Sequence, residues 1–147
     1  MKRSDALAPL SRDHHQALAV ALRLRRATTG DVDEAAGSFE GFWGRYGDRH
    51  FAIEEELLLP AVPAGTPGWP EAAQRIRDEH TELRARARAL LGAGEASVQS
   101  AHLLGSLLEA HVRYEEREAF GIAEDALSPS DLEALGEAIA AAEAEDG

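Results

Sequence analysis

Two stretches of the chain, His50-Phe-Ala-Ile-Glu54-Glu55 and His111-Val-Arg-Tyr-Glu115-Glu116, repeat the pattern His-x-x-x-Glu-Glu. On a helix, four residues make about one turn, so each imidazole stacks beside the first carboxylate on one face. Imidazole nitrogen with carboxylate oxygen suits a borderline-to-hard cation, iron or manganese above all, with zinc as a substitute. Two such pairs, with His14 and His80 as further lone donors in other segments, predict a two-metal site.

Helical wheels at about 100° per residue place these donors on apolar stripes. Phe39, Trp43, Tyr46, His50, Ile53 and Leu57 share one stripe, with Glu54 beside His50. Ile76, His80, Leu83, Ala87 and Leu90 form a second, and Leu104, Leu107, Leu108, His111, Glu115 and Ile122 a third. A charged carboxylate on an apolar stripe is costly unless paired or coordinated, and a bound cation removes the cost. His14 and His15 are adjacent, so only one can face inward. The stripe Leu7, Leu10, Ala17, Leu18, Ala21 and Leu24 centres on His14, which is read as the ligand, with His15 exposed or behind it. Glu55 and Glu116 point off the stripes and are read as solvated. Glu118 is either a spare ligand or a surface residue, and Tyr46 either core or a hydrogen-bond donor to a bound ligand. Tyr114 reads like Tyr46, and His102 reads as surface.

The segments that position these residues read as helices over about 4–26, 33–59, 70–92 and 97–127. Ala, Leu, Glu and Arg dominate the chain and are strong helix formers. Thr28-Thr29-Gly30-Asp31 closes the first helix and Pro60 the second. The breaker-rich stretch 60–70 must be a loop, with Pro70 favoured in the next first turn. Gly92-Ala-Gly94 is a turn and Ser97 an N-cap. Ser128, Pro129 and Asp131 open a fifth helix over about 129–144, which frays into a solvated acidic tail ending at Asp146. Short loops favour antiparallel neighbours. The expectation is an all-α protein, an antiparallel up-down-up-down four-helix bundle at about 4–127 with a short fifth C-terminal helix. A helix with one central histidine precedes a helix with His-x-x-x-Glu twice, a weak internal duplication. Gly37, Gly41, Gly44 and Gly47 each cost about 1 kcal/mol relative to Ala inside a helix. They mark either close approach of a neighbouring helix or a soft helix held by its other face.

A length of 147 residues fits a single domain over 1–147 with one adequate core. The formal net charge of −12 argues against nucleic acid as a partner, since phosphate neutralisation needs a basic surface. The absence of cysteine excludes disulfides, iron–sulfur clusters and thiolate metal sites. After the basic start Met1-Lys2-Arg3, Asp5, Arg12 and Asp13 interrupt any apolar signal region. The longest apolar run, 57–62, contains Pro60 and is too short to span a bilayer. The chain is therefore expected to be soluble and cytoplasmic, with no membrane partner.

In this order, Leu10-Ser-Arg-Asp13-His14, His50-x-x-x-Glu54-Glu55, Asp78-Glu79-His80 and His111-x-x-x-Glu115-Glu116 resemble the hemerythrin-like, or HHE cation-binding, domain. The resemblance covers about residues 4–127. It implies a four-helix bundle around a carboxylate-bridged di-iron centre, with an oxo or hydroxo bridge. On that resemblance His14 and His50 hold one iron, His80 and His111 the other, and Glu54 and Glu115 bridge the pair. Two features depart from oxygen-carrying hemerythrins. Arg84 stands where they have a second histidine on the third helix, and the last motif has Glu115 at four and Glu116 at five instead of an aspartate at five. One iron thus loses a nitrogen ligand, which leaves positions for solvent, dioxygen or peroxide and points away from reversible carriage. The functional expectation is a di-iron protein binding dioxygen, peroxide or nitric oxide in oxygen, iron or redox sensing or storage, closer to a binding protein than an enzyme. The alternative is a di-iron peroxidase or catalase-like enzyme, and a metal-free helical interaction module is a third reading.

Overall fold

The computed structural model describes residues 3–94 and 96–145. Met1 and Lys2 of the basic start and Asp146 at the acidic end lie outside the described residues. Among the described residues five helical rods succeed one another and no strand occurs. Helix α1 is Ala8–Arg25, α2 runs over 32–61, α3 is Trp69–Gly92, α4 runs over 98–126, and α5 is Pro129–Glu145. The signals that bound them are local. Asp31 accepts a hydrogen bond from the Thr28 amide at 2.7 Å in the turn before α2. Gly68, at φ 81°, turns the chain into α3 in a conformation that favours glycine. Ser97 and Ser128 accept from the amides of Ser100 and Asp131, capping α4 and α5.

The order of contacts makes successive helices antiparallel. Arg25 meets Glu109 while Arg3, before α1, meets Glu124, so α1 and α4 run in opposite directions. Asp48 meets Arg84 and Glu55 meets His80 between α2 and α3. Arg75 stacks on Tyr114 while Glu79 meets His111 between α3 and α4. The result is the expected up-down-up-down bundle. A close helix seam lies between α1 and α4, at Gly105, where a Cβ would stand 2.7 Å from the Ala21 carbonyl oxygen. The glycines of α2 do not serve that purpose: a Cβ at Gly37, Gly41 or Gly44 meets nothing within 4 Å, and one at Gly47 would run into Trp43 and Phe42 of its own helix, not into a neighbouring one.

Two apolar clusters fill the bundle. One contains Ala17, Leu24, Phe39, Phe42, Leu83, Leu90, Leu104 and Leu108. The other contains Leu7, Leu10, Ile53, Leu58, Trp69, Ile76, Phe120 and Ala123, with Leu135 and Ile139 of α5 packed onto it. Between them lies a layer of buried polar side chains: Asp13, His14, His50, Glu54, His80, His111 and Glu115.

Three single π-helical turns interrupt the α-helices, at Trp43–Gly47, Glu54–Leu58 and Glu115–Ala119. Each inserts one residue into the helical repeat and shifts the inward register of the residues beyond it. The uniform stripes expected from the sequence fail at these places. Phe42, Phe51 and Leu58 are buried in α2, while Trp43, Tyr46 and Leu57 are only half-buried. In α4, Phe120 and Ala123 replace Ile122 in the core. Two of the three turns begin on Glu54 and Glu115 themselves.

Candidate metal centre

All six residues singled out as donors meet in the polar layer. His14, His50, Glu54 and Glu115 offer four atoms within 4.8 Å of one another, and Glu54, His80, His111 and Glu115 do the same. A span of that size fits donors around one cation, since two opposed bonds of about 2.1 Å extend over about 4.2 Å. The two groups share both carboxylates. Glu54 Oε2 lies 3.0 Å from His50 Nε2, and its Oε1 lies 3.0 Å from His80 Nε2, so its two oxygens face different groups. Glu115 Oε1 lies 2.9 Å from His14 Nε2 and 3.3 Å from His111 Nε2.

Every imidazole therefore turns Nε2 inward, and its Nδ1 donates outward to a second carboxylate. His14 donates to Glu116 at 2.6 Å, His50 to Asp13 at 3.0 Å, His80 to Glu55 at 2.7 Å and His111 to Glu79 at 2.7 Å. An Nδ1–H bond of this kind fixes the tautomer that leaves a lone pair on Nε2, the arrangement usual behind metal-bound histidines. Ring stacking adds to the restraint: Phe51 lies 3.9 Å from His80 and Phe120 5.3 Å from His14, both nearly parallel.

These four outer carboxylates were missed or misread in the sequence. Glu55 and Glu116 are not solvated side chains but the partners of His80 and His14. The wheel argument misplaced them because a π-turn starts one residue earlier and widens the arc that faces the core. A signal was nevertheless present: each inward donor pair has an acid as its immediate neighbour, in Asp13-His14, Glu54-Glu55, Glu79-His80 and Glu115-Glu116. The acidic end was also misread, because Glu143 is half-buried against Arg49 and Asp13. Of the remaining candidates, His15 and Glu118 are exposed, Tyr46 packs on Phe42, and Tyr114 lies under Arg75. His102, exposed as expected, also bonds the Ala27 carbonyl at the end of α1 at 2.8 Å.

Charge and burial compete strongly here. Burial alone would lower the histidines. For His111, the charge of Glu115 at 3.3 Å, with the hydrogen bond to Glu79 behind, overcomes it and pushes the imidazole up to about 10. The charge of Glu54 and the bond to Asp13 likewise hold His50 well above its usual range. Hydrogen bonds that His14 donates to Glu115 and Glu116 outweigh its burial and raise it. Burial would raise Glu115, yet His111 and His14 hold it well below the ordinary carboxylate range. In the metal-free protein, protons on these imidazoles occupy the place of positive charge.

They do not satisfy it fully. His50 Nε2, His111 Nε2, Glu54 Oε2 and Glu115 Oε2 are buried and make no aligned hydrogen bond. The 3.0 Å between His50 Nε2 and Glu54 Oε2 is thus an ion-pair distance without hydrogen-bond geometry. Buried orphan donors and acceptors aimed at common points are what a cation would complete. The residues present fit such an ion.

A small, partly enclosed cavity of about 10 Å³, about the room one water-sized molecule needs, adjoins the centre between α1, α2 and α4. The rings of His14, His50 and His111 line it together with Ala17, Phe51 and Leu108, and the surface it presents is apolar.

No curated protein and no solved structure matches the chain. The hemerythrin HHE cation binding domain matches residues 5–123, from the segment before α1 to the last turns of α4. That span contains the four inward histidines, both shared carboxylates and the four acids behind them, and it shows that the chain belongs to the hemerythrin HHE cation-binding family.

Proposed function

We propose that this chain binds a pair of non-haem iron ions, His14 and His50 holding one, His80 and His111 the other, with Glu54 and Glu115 bridging. The observation that carries the reading is the sharing of two buried carboxylates between two four-donor groups. One carboxylate per cation would describe two separate sites; shared carboxylates describe a pair held close together.

Iron bound there would supply redox chemistry and open coordination positions. The chain's own residues have narrower tasks. The outer carboxylates fix the imidazole tautomers and strengthen them as donors. The two apolar clusters keep bulk water from the layer. The small cavity beside His14, His50 and His111 admits only a ligand of a few atoms, which suits dioxygen, peroxide or nitric oxide. Sensing or storage of oxygen, iron or redox state is the role this fits best.

Aerobic purification with metal quantitation and absorption spectra tests it. Two iron ions per chain with a near-ultraviolet to visible band that bleaches on reduction is the expected result. One iron or none per chain, after loading with ferrous iron, would refute it.

A second reading, peroxidase or catalase-like turnover, has one observation in its favour. Arg84, in the place of a further histidine, is directed to Asp48 at 2.9 Å and Glu55 at 2.8 Å, so it contributes no donor to the centre. Oxygen release from peroxide by the iron-loaded protein, lost in Glu54→Ala, would favour turnover; inactivity would leave binding alone.

A further inference from the structure

Arginines stand in turn behind the outer carboxylates. Arg75 meets one oxygen of Glu79 at 2.9 Å through Nε, a contact within one turn of α3. Arg3 approaches Glu116 at 3.6 Å, also through Nε. Arg84 does more. Its Nη1 and Nη2 donate to Oε2 and Oε1 of Glu55 at 2.8 Å and 3.3 Å, and its Nε donates to Asp48 at 2.9 Å. Of these three arginines only Arg84 engages both oxygens of its carboxylate, the fork geometry that matches guanidinium to carboxylate.

The Glu55 oxygen that Arg84 Nη1 holds is also the one that accepts from His80 Nδ1, at 2.7 Å. Glu55 needs that support. Its side chain is 30% exposed while His80 is fully buried, so water competes for the carboxylate at the edge of the polar layer. A single bond to imidazole fixes one oxygen and leaves the carboxylate free to turn about it. The fork removes this freedom, and Asp48, on α2 like Glu55, pins the guanidinium at Nε. Arg84 also lies over the Phe51 ring at 5.5 Å, the ring on which His80 stacks at 3.9 Å. His80 in turn directs Nε2 to Glu54 Oε1 at 3.0 Å. Contacts thus run unbroken from Asp48 through Arg84, Glu55 and His80 to a shared carboxylate.

We infer that Arg84 is a positioning residue for the metal centre: its two-pronged hold on Glu55 keeps that carboxylate against His80 Nδ1 and so sets how tightly the His80–His111 half holds its cation. Its charge has a second effect. Without the guanidinium, Glu55 is an uncompensated negative charge beside the centre, which favours ferric over ferrous iron. Arg84 therefore also raises the reduction potential of bound iron. This inference rests on the di-iron reading above.

The test is anaerobic titration of the full metal-free chain with ferrous iron, read by calorimetry, with the midpoint potential of the loaded protein read from its absorption. Removing a partner behind a ligating histidine commonly costs about 10–100-fold in metal affinity. Arg84 stands one contact further out, so Arg84→Gln should weaken one of the two equivalents about fivefold to tenfold, leave the other unchanged and lower the potential. Arg84→Lys keeps the charge but meets the carboxylate at one point, so it should restore the potential and only part of the affinity. That split also carries the test should Arg84→Gln fold poorly by circular dichroism. In a Glu55→Ala background Arg84→Gln should cost no further affinity, because the path to His80 is gone. Arg86→Gln, paired with Glu82 on an exposed face of α3, should change neither the equivalents nor the potential. Equal weakening of both equivalents would mark a merely structural role and overturn the inference, as would two wild-type-like equivalents in Arg84→Gln; either result leaves the di-iron reading intact. A wild-type chain that takes up no iron would overturn the reading itself.

Discussion

Gly37 and Gly105 are both helical glycines, and alanine at the two positions should act with opposite sign. At Gly37 a Cβ meets nothing within 4 Å on an exposed face of α2. Gly37→Ala should therefore gain the full propensity difference, about 1 kcal/mol. At Gly105 the same methyl would sit 2.7 Å from the Ala21 carbonyl oxygen, 2.8 Å from Arg25 Cγ and 2.9 Å from Leu24 Cβ. Arg25 can swing aside, but the Ala21 backbone and the buried Leu24 cannot. Overpacking of that kind costs about 1–3 kcal/mol, and two rigid neighbours put it in the upper half. After the propensity gain, Gly105→Ala should be destabilised by about 1–2 kcal/mol. An unfolding entropy of about 0.3 kcal/mol per kelvin for a chain of this length makes the two variants differ by about 7–10 °C in melting temperature. Thermal unfolding by circular dichroism, in chelator, reads this directly. The site should register it too, because the contacts of His14 with Glu115 and Glu116 cross the same α1–α4 seam. A Gly105→Ala protein as stable as wild type would refute the claim that this seam is closed to a methyl group.

In the metal-free protein His111 sits at about 10 against about 6.5 unfolded, so its contribution is complete below about pH 6.5 and lost as pH rises toward 10. Glu115, held low, contributes above its unfolded value near 4.3 and loses this as pH falls. The chelated protein should thus be most stable between about pH 4.5 and 6.5; a melting temperature rising from pH 6.5 to 10 would contradict this. Because imidazoles must be neutral to bind, loading with ferrous iron at pH 7 should release protons, from His50 and His111 above all, measurable in weakly buffered solution. Release of none would contradict the raised imidazoles. Ala17→Val places two methyls against the small cavity and should leave iron stoichiometry intact while weakening nitric oxide binding at least tenfold; unchanged nitric oxide affinity would remove the cavity from the ligand's path.

Much of this architecture is legible in the chain. Helix ends were marked by Ser97, Ser128 and the Pro and Gly residues around 60–70, whose backbone preferences act locally. The inward donors were legible because a charged or imidazole side chain on an apolar stripe needs a reason. Three things were hidden for physical causes. A π-turn has no residue signature of its own, so the stripes slid after Glu54 and Glu115 and misassigned Leu57 and Ile122. Glu55, Glu79, Glu116 and Asp13 act across helices, and their partners depend on the final packing. The close seam at Gly105 was overlooked in favour of four more conspicuous glycines in α2, because crowding is a property of the neighbour and not of the glycine.

The pattern of outer carboxylates has a consequence for assembly. Asp13 with His50 and Glu79 with His111 are matches made inside the α1–α2 and α3–α4 hairpins. Glu55 with His80 and Glu116 with His14 are made between them. A lone hairpin therefore aims one of its two imidazoles and leaves the other free to spin, with a single inner carboxylate in reach. Tight capture of an ion has to wait until both hairpins have closed on each other, so uptake reports completed docking of the two halves and not the growth of any individual helix.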